Sequence, residues 1–199
     1  LVKTDISQFK SNPDGTPVLL TGKIVSASHS QLGTATYVQE PDRSSGIRVN
    51  AHESAVQPGD IVTVVGTLGT TGAERTVVDP VVTVTGSTVP PAPLGMNNRA
   101  IGGSSLHQFS PGITGVPGLN NLCLLVRAWG SVVSVGSTYF VIEDGSERGA
   151  GMVRVMCHGL ALPMVGQCAV VTGVCSAGVG ATTTIPLVVP RTQDDLVYY

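Results

Sequence analysis

Short runs of β-branched and apolar residues, each closed by turn residues, set the rhythm of this chain. In the first half they are Val18–Val25, Ala35–Val38, Gly46–Val49, Ile61–Val65 and Val81–Val84. Runs of this length bounded by Gly, Pro, Asn and Asp read as strands. Helical periodicity is nearly absent. The exception is a turn over Ile6–Lys10, which Asp5 is placed to cap and Asn12-Pro13-Asp14-Gly15 to stop. The pattern predicts a five-stranded barrel preceded by a short lead-in.

The second half repeats the order. Leu122–Val133 matches the first long strand, Tyr139–Glu143 matches Thr36–Glu40, and Val153-Arg154-Val155 matches Ile47-Arg48-Val49. His158 follows Arg154 by the offset at which His52 follows Arg48. Gly59–Gly66 (GDIVTVVG) aligns without gaps to Gly166–Gly173 (GQCAVVTG), and Asp79-Pro80-Val81-Val82 aligns to Ile185-Pro186-Leu187-Val188. Between the copies, Val89-Pro90-Pro91-Ala92-Pro93, Gly102-Gly103 and Pro111-Gly112 favour extended and turning backbone over regular elements. Leu94, Met96, Ile101, Leu106 and Phe109 give this connector apolar anchors, so it should lie along the barrels.

The stretches Pro13–Val18, Pro41–Val49, Pro93–Arg99 and Leu124–Gly130 resemble the tandem OB-fold segments of large secreted or cell-surface bacterial proteins. The resemblance spans nearly the whole chain. It implies an all-β protein of two tandem five-stranded OB-type Greek-key barrels, an extracytoplasmic setting, and no catalytic motif to carry over. The expected division is residues 1–86 for the first barrel with its lead-in, 87–118 for the connector and 119–199 for the second barrel.

All four cysteines lie in the second half, and an even count in an exported chain suggests two disulfides. In an OB barrel the first strand runs antiparallel to the fourth, which would bring Cys123 near Cys175. Cys157 would close the third strand and Cys168 open the fourth. Of the three connectivities, the expected one is Cys123 with Cys175 and Cys157 with Cys168.

Composition narrows the function classes. Charged residues make up 12% of the chain and the net charge is −2, so little electrostatic repulsion opposes self-association. No apolar run approaches the roughly 20 residues needed to span a bilayer as a helix. The chain opens at Leu1 without a Met or a basic, hydrophobic leader, which reads as a mature extracellular or cell-surface product. Nucleic acid is disfavoured, because 11 Lys and Arg stand against 13 acids and no basic track interleaves with aromatics. Carbohydrate is a subtler rival, with Trp129 and Tyr139 as candidate platforms beside Asn97 and Asn98. Enzymatic motifs are missing: there is no G-x-S-x-G, Walker or H-E-x-x-H sequence. Glu40, Asp42, Glu143 and Asp144 read as acidic turn residues before they read as calcium ligands. No cofactor or metal is expected.

Both ends are apolar and β-prone, with Leu1 and Val2 at one and Leu196, Val197, Tyr198 and Tyr199 at the other. Such a segment can add a strand to the edge of another copy, and a head-to-tail contact that does not close gives a filament. The leading expectation is therefore a non-enzymatic structural subunit of an extracellular polymer, a filament or surface layer. Tails folded back on their own barrels would serve as well for a monomer, and the alternative function is a secreted OB-fold binding module for carbohydrate or single-stranded nucleic acid.

Overall fold

The computed structural model describes residues 5–51, 55–113, 115–146, 152–179 and 184–199. A short helix, α1 (Ile6–Lys10), opens it, with the Asp5 carboxylate accepting from the Ser7 amide at 2.7 Å. Ile6 and Phe9 on this helix are buried in the interior of the first barrel, so α1 plugs one end.

Five strands close that barrel: β1 (Pro17–Ala27), β2 (Thr36–Gln39), β3 (Gly46–Val49), β4 (Asp60–Thr71) and β5 (Glu74–Ser87), in spatial order β1-β2-β3-β5-β4. The β3–β5 pair is parallel and the rest are antiparallel. Alternation along each strand sends Val18, Leu20, Val38, Ile47, Val49, Val62, Val64 and Val77 inward. Each such side chain, fully buried, contributes about 2 kcal/mol.

The second barrel repeats the topology. After the two-residue β6 (Leu94–Gly95) come β7 (Leu125–Val135), β8 (Tyr139–Glu143), β9 (Val153–Met156), β10 (Cys168–Val179) and β11 (Thr184–Val189). Closure comes from β10 pairing with β7 along Cys168–Val174. Equivalent registers tie the copies together: Val49 faces Val77 as Val155 faces Val188, and Leu68 faces Val77 as Cys175 faces Val188. Gly66 and Gly173 hold the same place. A Cβ on Gly66 would lie 2.6 Å from a Val77 methyl, and one on Gly173 2.6 Å from the Val189 carbonyl oxygen, so both positions exclude any side chain.

One expected alignment is corrected. Leu187 pairs with Arg154 as Thr76 pairs with Arg48, so Ile185-Pro186-Leu187-Val188 does not match Asp79–Val82. In the first barrel β5 runs on through a kink at Asp79, whose φ is 48°, and covers β4 to its start. In the second the chain leaves the sheet after Val189 and re-enters as β12 (Leu196–Tyr198), which pairs with Ala169–Val171. A separate strand thus does the work of the second half of β5, and the shared Pro was a misleading anchor.

The barrels are joined by a common core. Ala27, Leu32, Ala35 and Tyr37 of the first pack in one cluster with Leu122, Leu124, Val126, Phe140, Val155 and Val188 of the second. The connector lies along this seam: Ile101 and Ile113 are buried in the same cluster, and β6 runs parallel to the start of β7. A second helix, α2 (His29–Leu32), sits in the β1–β2 loop and adds Leu32 to the seam.

Candidate interaction surfaces and the inter-barrel cleft

The outer face of β2 and β3 in the first barrel is closed to ligands. Tyr37 packs on the second barrel, and the Gln39 side-chain oxygen accepts from the Leu125 amide at 3.3 Å. Gly46 faces the crossing chain so closely that a Cβ there would lie 2.3 Å from the Cys123 carbonyl oxygen. Cys123 itself holds a φ of 73°, a left-handed conformation that costs a side-chain-bearing residue about 1–2 kcal/mol.

Buried charge reinforces the seam. Lys10 is 2% exposed, and its ammonium donates to the carbonyls of Gly46 and Leu122 and to the Asn120 side-chain oxygen. Burial draws its pKa below the ordinary lysine value. The Tyr37 hydroxyl donates to Glu74 Oε2 at 3.0 Å, and Arg48 Nη1 donates to the same oxygen at 3.3 Å. Burial, with the Glu74 charge adding to it, raises the Tyr37 pKa.

All four thiols are free, so neither expected bridge is formed. Cys157 is turned into the core, whereas Cys168 is exposed, which puts these thiols on opposite sides of the barrel wall. Cys123 and Cys175 are backbone neighbours, with Cys123 N donating to Cys175 O at 2.7 Å, but the Cys175 thiol is directed to Asn121 Oδ1 at 3.1 Å. Burial pushes the Cys157 thiol up to about 11 and the Cys175 thiol up to about 12, and raises Cys123 as well.

The expected contact segments fare differently at the two ends. Leu1 and Val2 lie outside the described residues. Leu196, Val197 and Tyr198 form β12 on their own barrel, where Tyr198 meets Phe140 edge-on with ring centroids 6.0 Å apart. The backbone of Tyr199 exchanges two hydrogen bonds with Cys168 while its ring is exposed. The C-terminal segment is taken up internally.

Two apolar rows face outward instead. On the first barrel Leu19 pairs with Val65 and Val65 with Val81, at 38%, 48% and 63% exposure. On the second Trp129 pairs with Val170 and Val170 with Val197, with Trp129 at 53%. Tyr139 does not join Trp129. It sits at the far end of the β7–β8 hairpin, where the Arg154 guanidinium stacks 4.3 Å from its ring centroid.

A cleft of about 310 Å³ opens where the barrels meet. Ser30, Gln31 and Leu32 of α2 form one wall, and His158, Leu160 and Arg191 of the second barrel the other. Gln31 Oε1 accepts from the Ser28 amide at 3.2 Å, which fixes the side chain at the helix start. Arg191 is bidentate to Asp195 and also donates to the Ser26 carbonyl at 3.1 Å. His52, the sequence counterpart of His158, lies outside the described residues.

Three of the four acids weighed for calcium are engaged locally. Glu40 pairs with Lys23 at 2.6 Å and accepts from the Ile6 amide, Asp42 caps Ser44, and Asp144 accepts from Asn98 and Ser146. The cleft and the Lys10 clamp were both missed in the sequence. A signal for α2 existed, since Ser28-x-x-Gln31 followed by Gly33 is a capping box with a left-handed stop, and Gly33 has a φ of 70°. Nothing marks Lys10 in the sequence, because its acceptors are backbone carbonyls more than thirty residues away.

No family model and no curated protein matches this chain. Among solved structures it is similar to a murine DNA-binding protein bound with double-stranded DNA, at 11% identity and a TM-score of 0.40, over 92% of this chain and 97% of that one.

Proposed function

We propose that the protein is a non-enzymatic structural subunit, of extracellular or cell-surface setting, that assembles with copies of itself. The observation that carries this reading is the pair of outward apolar rows, Leu19–Val65–Val81 and Trp129–Val170–Val197, one on each barrel of a unit whose halves share a core. Such a unit is a stiff block with an adhesive face at each barrel. A net charge of −2 leaves little to hold copies apart. Head-to-tail contact between unlike faces would continue into a filament unless the rotation closed it. Because β12 already occupies the edge of its own β10, the sheet faces are assigned the contact, not the C-terminal tail.

The nucleic-acid alternative has less support, since the β2–β3 face of the first barrel is covered and no basic track crosses the chain. Sedimentation velocity over a wide concentration range, with negative-stain microscopy of the most concentrated sample, tests the proposal. Mass should rise with concentration. A single monomeric species throughout would end it.

A further inference from the structure

We propose that the inter-barrel cleft binds a neutral, hydroxyl-rich ligand of monosaccharide size. This reading is independent of self-assembly. The cleft, at about 310 Å³, is at the small end of ligand sites. Its walls come from both barrels, so it exists only because the seam fixes them together.

The chemistry of the walls selects the class. Among the described residues, the His158 imidazole and the Gln31 amide nitrogen have no hydrogen-bond partner, and Ser30 presents a hydroxyl paired only with Ser28. An imidazole, a side-chain amide and a hydroxyl suit hydroxyl groups, each of which can give and take a hydrogen bond. Leu160, half-buried at the cleft wall, offers apolar surface to the C–H face of a sugar ring. Arg191 is the obvious cation, but its guanidinium is already neutralised by Asp195 and held by the Ser26 carbonyl. Among the described residues no carboxylate lines the cleft, so a cationic ligand finds no counter-charge there.

The test is a ¹⁵N–¹H NMR titration of the full chain with D-glucose, with N-acetyl-D-glucosamine, and separately with sodium phosphate and sodium acetate. One or both sugars should produce saturable shifts at residues 30–33, 158–160 and 191, with a Kd on the order of 1 mM. His158→Ala, which removes an exposed side chain with no partner among the described residues, should keep the rest of the spectrum and weaken binding about tenfold. Three outcomes overturn the proposal: no saturable shift with either sugar, shifts at the cleft from phosphate or acetate but not sugar, or sugar shifts confined to Trp129 and Tyr139.

Discussion

Lys10 Nζ lies 3.4 Å from the carbonyl oxygen of Leu122, and this contact ties the lead-in helix of the first barrel to the first residues of the second. The same ammonium reaches Gly46 O at 3.1 Å and Asn120 Oδ1 at 3.5 Å, so its three protons each have an acceptor. Lys10→Met keeps the stem and deletes the donor. It leaves three buried acceptors without their partner and should lower stability by about 2–4 kcal/mol. Equilibrium urea unfolding measures it, and a loss below about 0.5 kcal/mol would mean the clamp is idle.

Gly46 makes the complementary case through space. A Cβ there would sit 2.3 Å from Cys123 O and 2.7 Å from its carbonyl carbon, both backbone atoms that cannot swing aside. Gly46→Ala should therefore wedge the barrels apart, at a cost of about 2–3 kcal/mol. The parent should unfold in one transition because its core crosses the seam. Trp129, the single tryptophan, reports on the second barrel alone. In Gly46→Ala its fluorescence midpoint should separate from the midpoint by far-UV circular dichroism; coincident midpoints would show that the seam tolerates the methyl.

Strand positions were legible because each strand carries its own local period. Val18–Val25 alternates between core and surface over most of its length, and the five β-runs of the first half all became strands. What failed depended on partners remote in sequence. The fate of Leu196–Tyr198 turned on whether β10 had a vacant edge, which only the break after Val189 created. The thiols illustrate the same limit: topology brought Cys123 and Cys175 together at the backbone, but the Asn121 side chain decided where the Cys175 thiol points. The cleft belongs to neither repeat by itself, so no pattern within one repeat could announce it.

The free thiols give a direct chemical prediction. Cys168 alone is exposed, while Cys123, Cys157 and Cys175 are buried. A colorimetric disulfide reagent should titrate one thiol rapidly in the native protein and the remaining three only on unfolding. Cys168→Ser should abolish the fast phase. Fewer than four thiols in denaturant without reductant would show that a bridge forms after all.

Alkaline pH should loosen the fold. The three buried thiols ionise near 9.0 when unfolded, but in the fold burial raises Cys157 to about 11 and Cys175 to about 12 and lifts Cys123 too. Groups with raised folded pKa values stabilise fully below the unfolded value and lose that contribution as pH climbs through the folded one. The loss begins near 9.0 and adds at most about 1.4 kcal/mol per pH unit for each thiol. Lys10 has the opposite sign. Its folded pKa lies below 10.5, so its contribution is present above 10.5 and lost as pH falls through the folded value, which softens the slope at the top of the window. Urea midpoints at about pH 8 and about pH 10 should fall, and Cys157→Ala should make the fall shallower. A midpoint independent of pH would contradict the burial of these thiols.

If copies join through the two apolar rows, blocking one row leaves the other usable. Val81 is 63% exposed and Trp129 53%, so a lysine at either place meets water and should alter stability by less than about 1 kcal/mol. Val81→Lys and Trp129→Lys should each stop growth, because a head-to-tail chain needs both faces on every member. Mixed together, the two variants retain one intact face of each kind and should form a heterodimer that grows no further. Sedimentation velocity of the mixture distinguishes this from its rival, since a contact made by like faces would let one of the single variants dimerise by itself. Unchanged polymerisation by both variants would remove the rows from the interface.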